Sequence, residues 1–216
     1  MASKGIDKTI YFVRHGQVSH DVDENGVHRE HDPLLNDEGR KQALQLQHDL
    51  DAEKLPIELI LVSPMRRALE TMKIGFQHYI EDKHIPVKVI PLLQDCGDWA
   101  CNVGSYTKDL EKQFPGYDYT ACHEDPVFPK KEKIYKADYK TSIQRSRVLA
   151  EFFAKVPEKV FAVVTHGVDI RLFQKIQKPE DSLDAVPKEH SFSPCQHEEF
   201  RMHYEDDKNW NFEPVK

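Results

Sequence analysis

A chain of 216 residues with 39% apolar and 31% charged side chains and only 9 glycines has the composition of a soluble globular protein, not of a disordered or fibrous one. A net charge of −7 argues against nucleic-acid binding, which demands a basic face, and no apolar run approaches the length needed to cross a bilayer. The length suits one large α/β domain with a sizeable core, and because no Pro/Gly/Ser-rich linker divides it, residues 1–216 are read as a single domain.

The N-terminal "MASKGIDKTI" carries no apolar core of a secretory signal, so the expected location is intracellular, in the cytoplasm and extending to the nucleus. The cysteines Cys96, Cys101, Cys122 and Cys195 form no Cys-x-x-Cys pair and are read as free thiols. Of the 12 histidines, His20, His28 and His31 lie close together, but a zinc site would need a fourth ligand and tighter spacing. Neither a metal nor another cofactor is expected.

In chain order, Thr9 to Val13 reads as a strand of β-branched and aromatic residues that runs straight into Arg14-His15-Gly16. Residues 16–33 are polar, without a sustained period, and read as a loop. In "NDEGRKQALQLQHDL", Asn36 is a plausible N-cap, acidic residues fill the first turn, and Ala43, Leu46 and Leu50 share one face, which predicts a helix weakened in its first turn by Gly39. "IELILVSP" is a near-continuous apolar run that suits a buried parallel strand ended by Pro64, with a helix expected from Met65 to about Glu81. "VKVIPLL" is a third strand, followed by the irregular "QDCGDWACNVGS". Residues 107–140 are mixed, with one short helix around "KDLEKQF" and a loop rich in proline and tyrosine. "SIQRSRVLAEFFAKV" is an amphipathic helix, "KVFAVVTHG" is the clearest strand, "VDIRLFQKI" is a helix leaving it, and "EEFRMHYE" is the last strand expected. The tail "EDDKNWNFEPVK" reads as a partly ordered end.

Alternating strands and helices imply a mainly parallel central sheet with helices on both faces, and in such sheets ligands bind beyond the carboxyl ends of the strands. Four strand ends carry polar residues of one kind: Arg14-His15, "SPMRRALET", Asp95 with Asp98, and Thr165-His166-Gly167. Each alone has a structural explanation. Together, two histidines, at least two arginines and a carboxylate would converge on one mouth of the sheet. That set matches phosphoryl transfer, where fixed cations stabilise charge spread over phosphate oxygens, a histidine nitrogen serves as nucleophile and a carboxylic acid protonates the leaving oxygen.

The segments "VRHGQ", "SPMRRALET" and "VVTHGVDIR" resemble, in order, the signature segments of the histidine phosphatase superfamily, in its phosphoglycerate-mutase-like branch, and the chain is similar to fungal phosphatase-like members. The resemblance spans roughly Thr9 to Arg171. It implies that His15 is the nucleophile that becomes phosphohistidine, that Arg14, Arg67 and His166, with Gln17, hold the phosphate, and that Asp95 stands where the family usually has a glutamate general acid. Arg67 rather than Arg66 is chosen because the family's arginine precedes the alanine, here Ala68. His20-Asp21 departs from the family's frequent histidine-asparagine, Asp95 is one methylene shorter than glutamate with Asp98 as the fallback acid, and Asn102 stands where an aspartate is common. "HDPLLNDEGRKQA" is similar to the family's lead into its first helix.

The activity so implied is metal-independent hydrolysis of phosphate monoesters, with a phosphorylated small molecule or a phosphoprotein as partner, no nucleic acid and no membrane, and the oligomeric state left open. A mutase using the same intermediate, and a phosphate-binding interaction module with little turnover, are the alternatives. Residues 106–140 form a candidate substrate lid, because "KKEKIYKADYK" could cover an anionic substrate; a solvated helix face is the plainer reading. Gly16 is expected to let phosphate oxygens approach the backbone.

Overall fold

A computed structural model describes residues 5–19, 29–175, 192–205 and 210–215. His20, Asp21 and His28 lie outside the described residues. The sheet arises from apolar runs whose successive side chains face opposite layers. In β1 (Ile6–Arg14), Tyr11 and Val13 join one core while Ile10 and Phe12 join the other. β2 (Leu59–Val62) divides in the same way, with Ile60 and Val62 on the first side and Leu59 and Leu61 on the second. With β3 (Val87–Val89), β4 (Val160–Thr165), β5 (His197–Tyr204) and β6 (Trp210–Pro214), these strands form a six-stranded sheet of order β3-β2-β4-β1-β5-β6. The first four strands in that order are parallel, and β5 and β6 add an antiparallel edge.

The helices are α1 (Asp37–Glu53), α2 (Arg66–Gly75), α3 (Gln77–Glu81), α4 (Thr107–Gln113), α5 (Thr120–Glu124), α6 (Tyr139–Lys155) and α7 (Gly167–Lys175). Residues of α1, α2 and α3 fill the core on the Tyr11 side, and those of α6 and α7 fill the core on the Phe12 side. The described residues thus form one α/β unit with helices on both faces of a mainly parallel sheet, as the alternation of elements implies. No described helix is long and apolar enough to cross a membrane.

Local chemistry explains the helix starts. Asn36 caps α1 by accepting the Gly39 N–H at 2.7 Å and donates its amide to Val18 O at 3.0 Å, so the cap also ties down the chain after β1. Gly39 is required rather than merely tolerated, because a Cβ there would lie 2.0 Å from Gln17 O. Gly16 differs from expectation in its reason: a Cβ on it would stand 2.8 Å from Gly39 O and 3.1 Å from Cys195 Sγ, and its N–H donates to Thr71 Oγ1 at 3.0 Å. Close packing, not approach of phosphate to the backbone, accounts for this glycine.

Three further expectations are corrected. The helix expected from Met65 to Glu81 is two helices, broken at Phe76, whose φ of −109° and ψ of 20° leave the helical region while its ring is fully buried. The tail supplies β6, whose Trp210 and Phe212 are buried at the sheet edge; two inward aromatics in a short acidic stretch are too weak a pattern to mark a strand. The basic stretch from Lys130 is no helix face, since it holds a single tight turn at Lys133–Tyr135 and α6 begins only at Tyr139.

Phe12 lies at the centre of the second core, with ring centroids 5.6 Å from Phe173, 5.5 Å from Phe200 and 6.2 Å from both Phe153 and Phe212. Truncating it would open a cavity bounded by four rings. Phe12→Ala is expected to lower stability by about 3–5 kcal/mol, read from the shift of the urea unfolding midpoint.

Candidate active site

Parallel register brings the strand ends level. Arg14 pairs with Thr165, and Val62 pairs with both Val164 and Val89. Backbone bonds carry that register one step past the strands, from His15 N to Thr165 O at 3.0 Å, Ser63 N to Val164 O at 2.9 Å and Ile90 N to Val62 O at 2.9 Å. The side chains that follow must therefore share one mouth.

His15 is oriented from behind. Its Nδ1 lies 2.7 Å from its neighbour's carbonyl, Gly16 O, which can only accept, so Nδ1 carries the proton and Nε2 presents a lone pair. Arg67 Nε donates to that lone pair at 3.2 Å. Burial, reinforced by the charge of Arg67, pushes the His15 pKa down to about 3, so the imidazole is neutral throughout the physiological range.

Arg67 is buried and every arm of its guanidinium is used. Besides His15, it donates to Cys101 O at 2.6 Å, to Asp95 Oδ2 at 3.0 Å and to Asn102 Oδ1 at 3.2 Å. Arg66 turns the other way, onto Gln113 and the Asp32 carbonyl. Asp95 also accepts from Gly97 N at 3.0 Å. Burial alone would raise its pKa, but His166, Arg67 and that N–H outweigh it and hold the carboxyl well below the usual carboxylate range. Since burial, again reinforced by Arg67, keeps His166 itself far below its ordinary pKa, Arg67 is the charge that holds Asp95 ionised at neutral pH.

His166 places Nε2 2.8 Å from Ser63 Oγ. Its Nδ1 lies 3.3 Å from Asp95 Oδ2 but off the line of a hydrogen bond, and this buried nitrogen has no aligned partner. Arg14 donates one terminal nitrogen to the Phe192 carbonyl, while its Nε and the Nε of Arg171 are buried without partners. Arg14, His15, Asp95, His166, Gly167, Val168, Arg171 and Phe192 enclose a cavity of about 150 Å³. Two arginine Nε donors and a ring nitrogen of His166, all buried without partners around a void that size, suit a small oxyanion, because an unsatisfied buried donor costs about 1–3 kcal/mol until an acceptor arrives.

Arg14, His15, Arg67, Asp95 and His166 are thus brought together as the sequence suggested. Gln17 is not: it does not line the cavity, and its backbone N–H donates to Gln42 Oε1 while its carbonyl accepts from Asn36. Asp98 is exposed in a neighbouring groove and lines no part of the His15 cavity. Sequence reasoning missed Arg171, although it ends the "VVTHGVDIR" segment four residues after Gly167 and so shares that residue's face of α7. Ser63 and Asp32 were also missed. Asp32, fully buried with φ of 43°, accepts from Arg66 N, Ser105 N and Ser105 Oγ, and thereby fixes the start of α2.

Lys131 is the unexpected member of the neighbourhood. Its ammonium donates to the Asp95 backbone carbonyl at 2.6 Å, and burial pushes its pKa down to about 8. It braces the Asp95 loop rather than facing solvent. Lys130, beside it, is exposed.

A sequence model of the histidine phosphatase superfamily (branch 1) matches residues 10–193. The chain belongs to the histidine phosphatase superfamily. Phosphoglycerate mutase-like protein 1 of Arabidopsis thaliana is 26% identical over 197 residues, covering 74% of this chain and 68% of that protein. Among solved structures, mycobacterial glucosyl-3-phosphoglycerate phosphatase aligns with a TM-score of 0.61 at 21% identity, over 96% of this chain and 97% of that one. The Bombyx mori ecdysone phosphate phosphatase, solved with tungstate, gives 0.63 at 14% identity, over 97% and 92%. These likenesses establish the fold, and the superfamily's three signature segments fall at the strand ends just described.

Behind the cavity, Arg145 is buried and donates to Asp169 Oδ1 at 3.1 Å and to Cys96 Sγ at 2.7 Å, while the Cys96 thiol donates to Asp169 at 2.8 Å. This cluster joins α6 and α7 to the loop carrying Asp95. Arg145→Leu would leave Asp169 buried without its cation and is expected to cost about 3–5 kcal/mol. Thermal unfolding of Arg145→Leu against the double variant Arg145→Leu/Asp169→Leu checks this, with the double variant recovering part of the loss.

Proposed function

We propose that the protein is a phosphatase that hydrolyses phosphate monoesters through a phosphohistidine on His15. The observation that carries this reading is the neutral imidazole of His15, its Nε2 lone pair set by the Gly16 carbonyl and held by Arg67 Nε, at the wall of a cavity where the Nε atoms of Arg14 and Arg171 and Nδ1 of His166 are buried without partners. Family membership supports it. So do the two phosphatases among the structural relatives, one acting on glucosyl-3-phosphoglycerate and the other on ecdysone phosphate.

Substrate phosphate takes up the cavity donors, and His15 Nε2 attacks phosphorus in line with the ester oxygen. An N–P bond forms as the P–O bond breaks. The alkoxide needs a proton, yet Asp95 is ionised in the free protein. The substrate monoanion resolves this, because it brings its own proton. As phosphate charge offsets Arg67, the proton passes to Asp95 and from there to the leaving oxygen. Water then attacks the phosphohistidine with Asp95 as base, an O–P bond forming as the N–P bond breaks, and the proton on Asp95 leaves with phosphate as its monoanion, which restores His15 and the carboxylate.

The pH dependence follows in sign. His15 stays unprotonated above about pH 3, and the productive substrate form disappears above its second pKa, about 6. kcat/KM is therefore expected to hold level from about pH 4 to the substrate pKa and to fall about tenfold per pH unit above it. Hydrolysis of p-nitrophenyl phosphate, with and without EDTA, by the wild type and His15→Ala tests the core of the reading: EDTA-insensitive turnover that vanishes in the variant is expected. Asp95→Asn should cost about 10²–10⁴-fold on alkyl phosphates and far less on p-nitrophenyl phosphate, whose leaving group needs no proton. A profile on an alkyl phosphate that stays flat through pH 8 would overturn the monoanion step.

One observation favours a second reading, a phosphate-binding module with little turnover. The Arg67–Asp95 bond at 3.0 Å keeps the acid arm deprotonated. Negligible hydrolysis of a broad ester panel, with phosphopeptide binding retained, would select it.

A further inference from the structure

Next to the phosphate-sized cavity lies a second, larger hollow of about 390 Å³, and the two share Asp95 and Val168 as a common wall. Its apolar lining comes from Trp99, Ala137, Tyr139, Val168 and Leu172. Trp99, on the loop after Asp95, leaves 49% of its surface exposed, a large apolar area left in water beside a reactive centre. The volume is within the range in which small-molecule ligands are held, whereas the first cavity admits only the anion.

We propose that this hollow receives the alcohol portion of the substrate, and that its chemistry selects monoesters whose alcohol is apolar or aromatic and uncharged. The proposal rests on the phosphatase reading and adds the substrate class to it. Continuity through Asp95 sets the direction: the leaving oxygen must sit beside that carboxylate, so the carbon skeleton it carries extends past Asp95 and Val168 into the groove. Charge sets the class. Besides Asp95, the carboxylates of Asp98 and Asp138 line the groove and oppose a second anionic group on the substrate, and among the described residues no lysine or arginine lines the hollow to offset them. Lys131, in the segment offered by the sequence as a candidate lid over an anionic substrate, lines neither cavity and is bonded to the Asp95 carbonyl.

Phosphonates, which cannot be hydrolysed, separate binding in the groove from reactivity at phosphorus. Calorimetric titration of the whole protein with 1-naphthylmethylphosphonate, methylphosphonate and 2-carboxyethylphosphonate is the test. The naphthyl compound is expected to bind at least about tenfold tighter than the methyl compound, and the carboxyethyl compound several-fold weaker. Trp99→Ala should remove the naphthyl advantage while affinity for inorganic phosphate stays within twofold. Asp98→Lys should relieve the carboxyethyl penalty. Equal affinities for the naphthyl and methyl compounds, tighter binding of the carboxyethyl compound, or an equal loss for all ligands in Trp99→Ala would each overturn the proposal, as would failure of all three to bind. Failure of the phosphatase reading shows separately, as absent p-nitrophenyl phosphate turnover while the naphthyl preference persists.

Discussion

The guanidinium of Arg67 is the interaction on which the site depends. It is buried, planar and permanently charged, and it connects His15, the Asp95 carboxylate, Cys101 and Asn102 at distances of 2.6–3.2 Å. That contact reinforces burial in lowering the His15 pKa and opposes burial at Asp95. The imidazole is kept neutral, the carboxylate is kept ionised, and the loop is held against α2. A lysine could match the charge but not the fork, because a single ammonium cannot serve four acceptors spread over one plane. Asn102 fits this arrangement by offering Arg67 an acceptor without a second negative charge, which leaves Asp95 as the one carboxylate bonded to Arg67 among the described residues.

Arg67 can act in this way only because the strands end together. Parallel pairing fixes the level of Arg14, Ser63 and Thr165, and the alternation of apolar side chains fixes which face each strand turns to which helices. A slip of one residue in β1 would exchange Phe12 for Val13 against the aromatic core and carry His15 away from Arg67. Packing energy in the core thus specifies catalytic distances at the rim. The glycines contribute in the same sense, since the near-contact of Gly39 with Gln17 O leaves the chain after His15 no room to shift.

Most of the parallel sheet was legible because its signals are local: β-branched runs, a cap at Asn36, polar residues at strand ends. The Arg14, His15, Arg67 and His166 quartet was legible because three separated segments repeat a known family pattern. What was not legible depends on three-dimensional closure. β6 has two inward aromatics in a polar stretch, and only pairing with β5 makes it a strand. The break at Phe76 comes from a ring turned into the core, while the sequence around it retains good helix formers. Lys131 reads as one lysine among five, and nothing short of the folded loop reveals that its ammonium reaches the Asp95 carbonyl. Gly16 was located correctly for the wrong reason, as sequence marks a missing side chain but not the atom that would collide with it.

The charge balance of the cavity has a consequence for the end of the catalytic cycle. Arg14, Arg67 and Arg171 oppose a single carboxylate, and both histidines are neutral, so the empty site carries an excess of two positive charges. An ester monoanion compensates half of that excess. Inorganic phosphate, as the dianion, compensates all of it. On the proposed reading the site is electrostatically better matched to phosphate dianion than to an ester monoanion, and departure of phosphate would be the brake on turnover. In a cell, free phosphate would act on such a protein as a standing inhibitor, its grip tightening as pH rises through the second ionisation of phosphate.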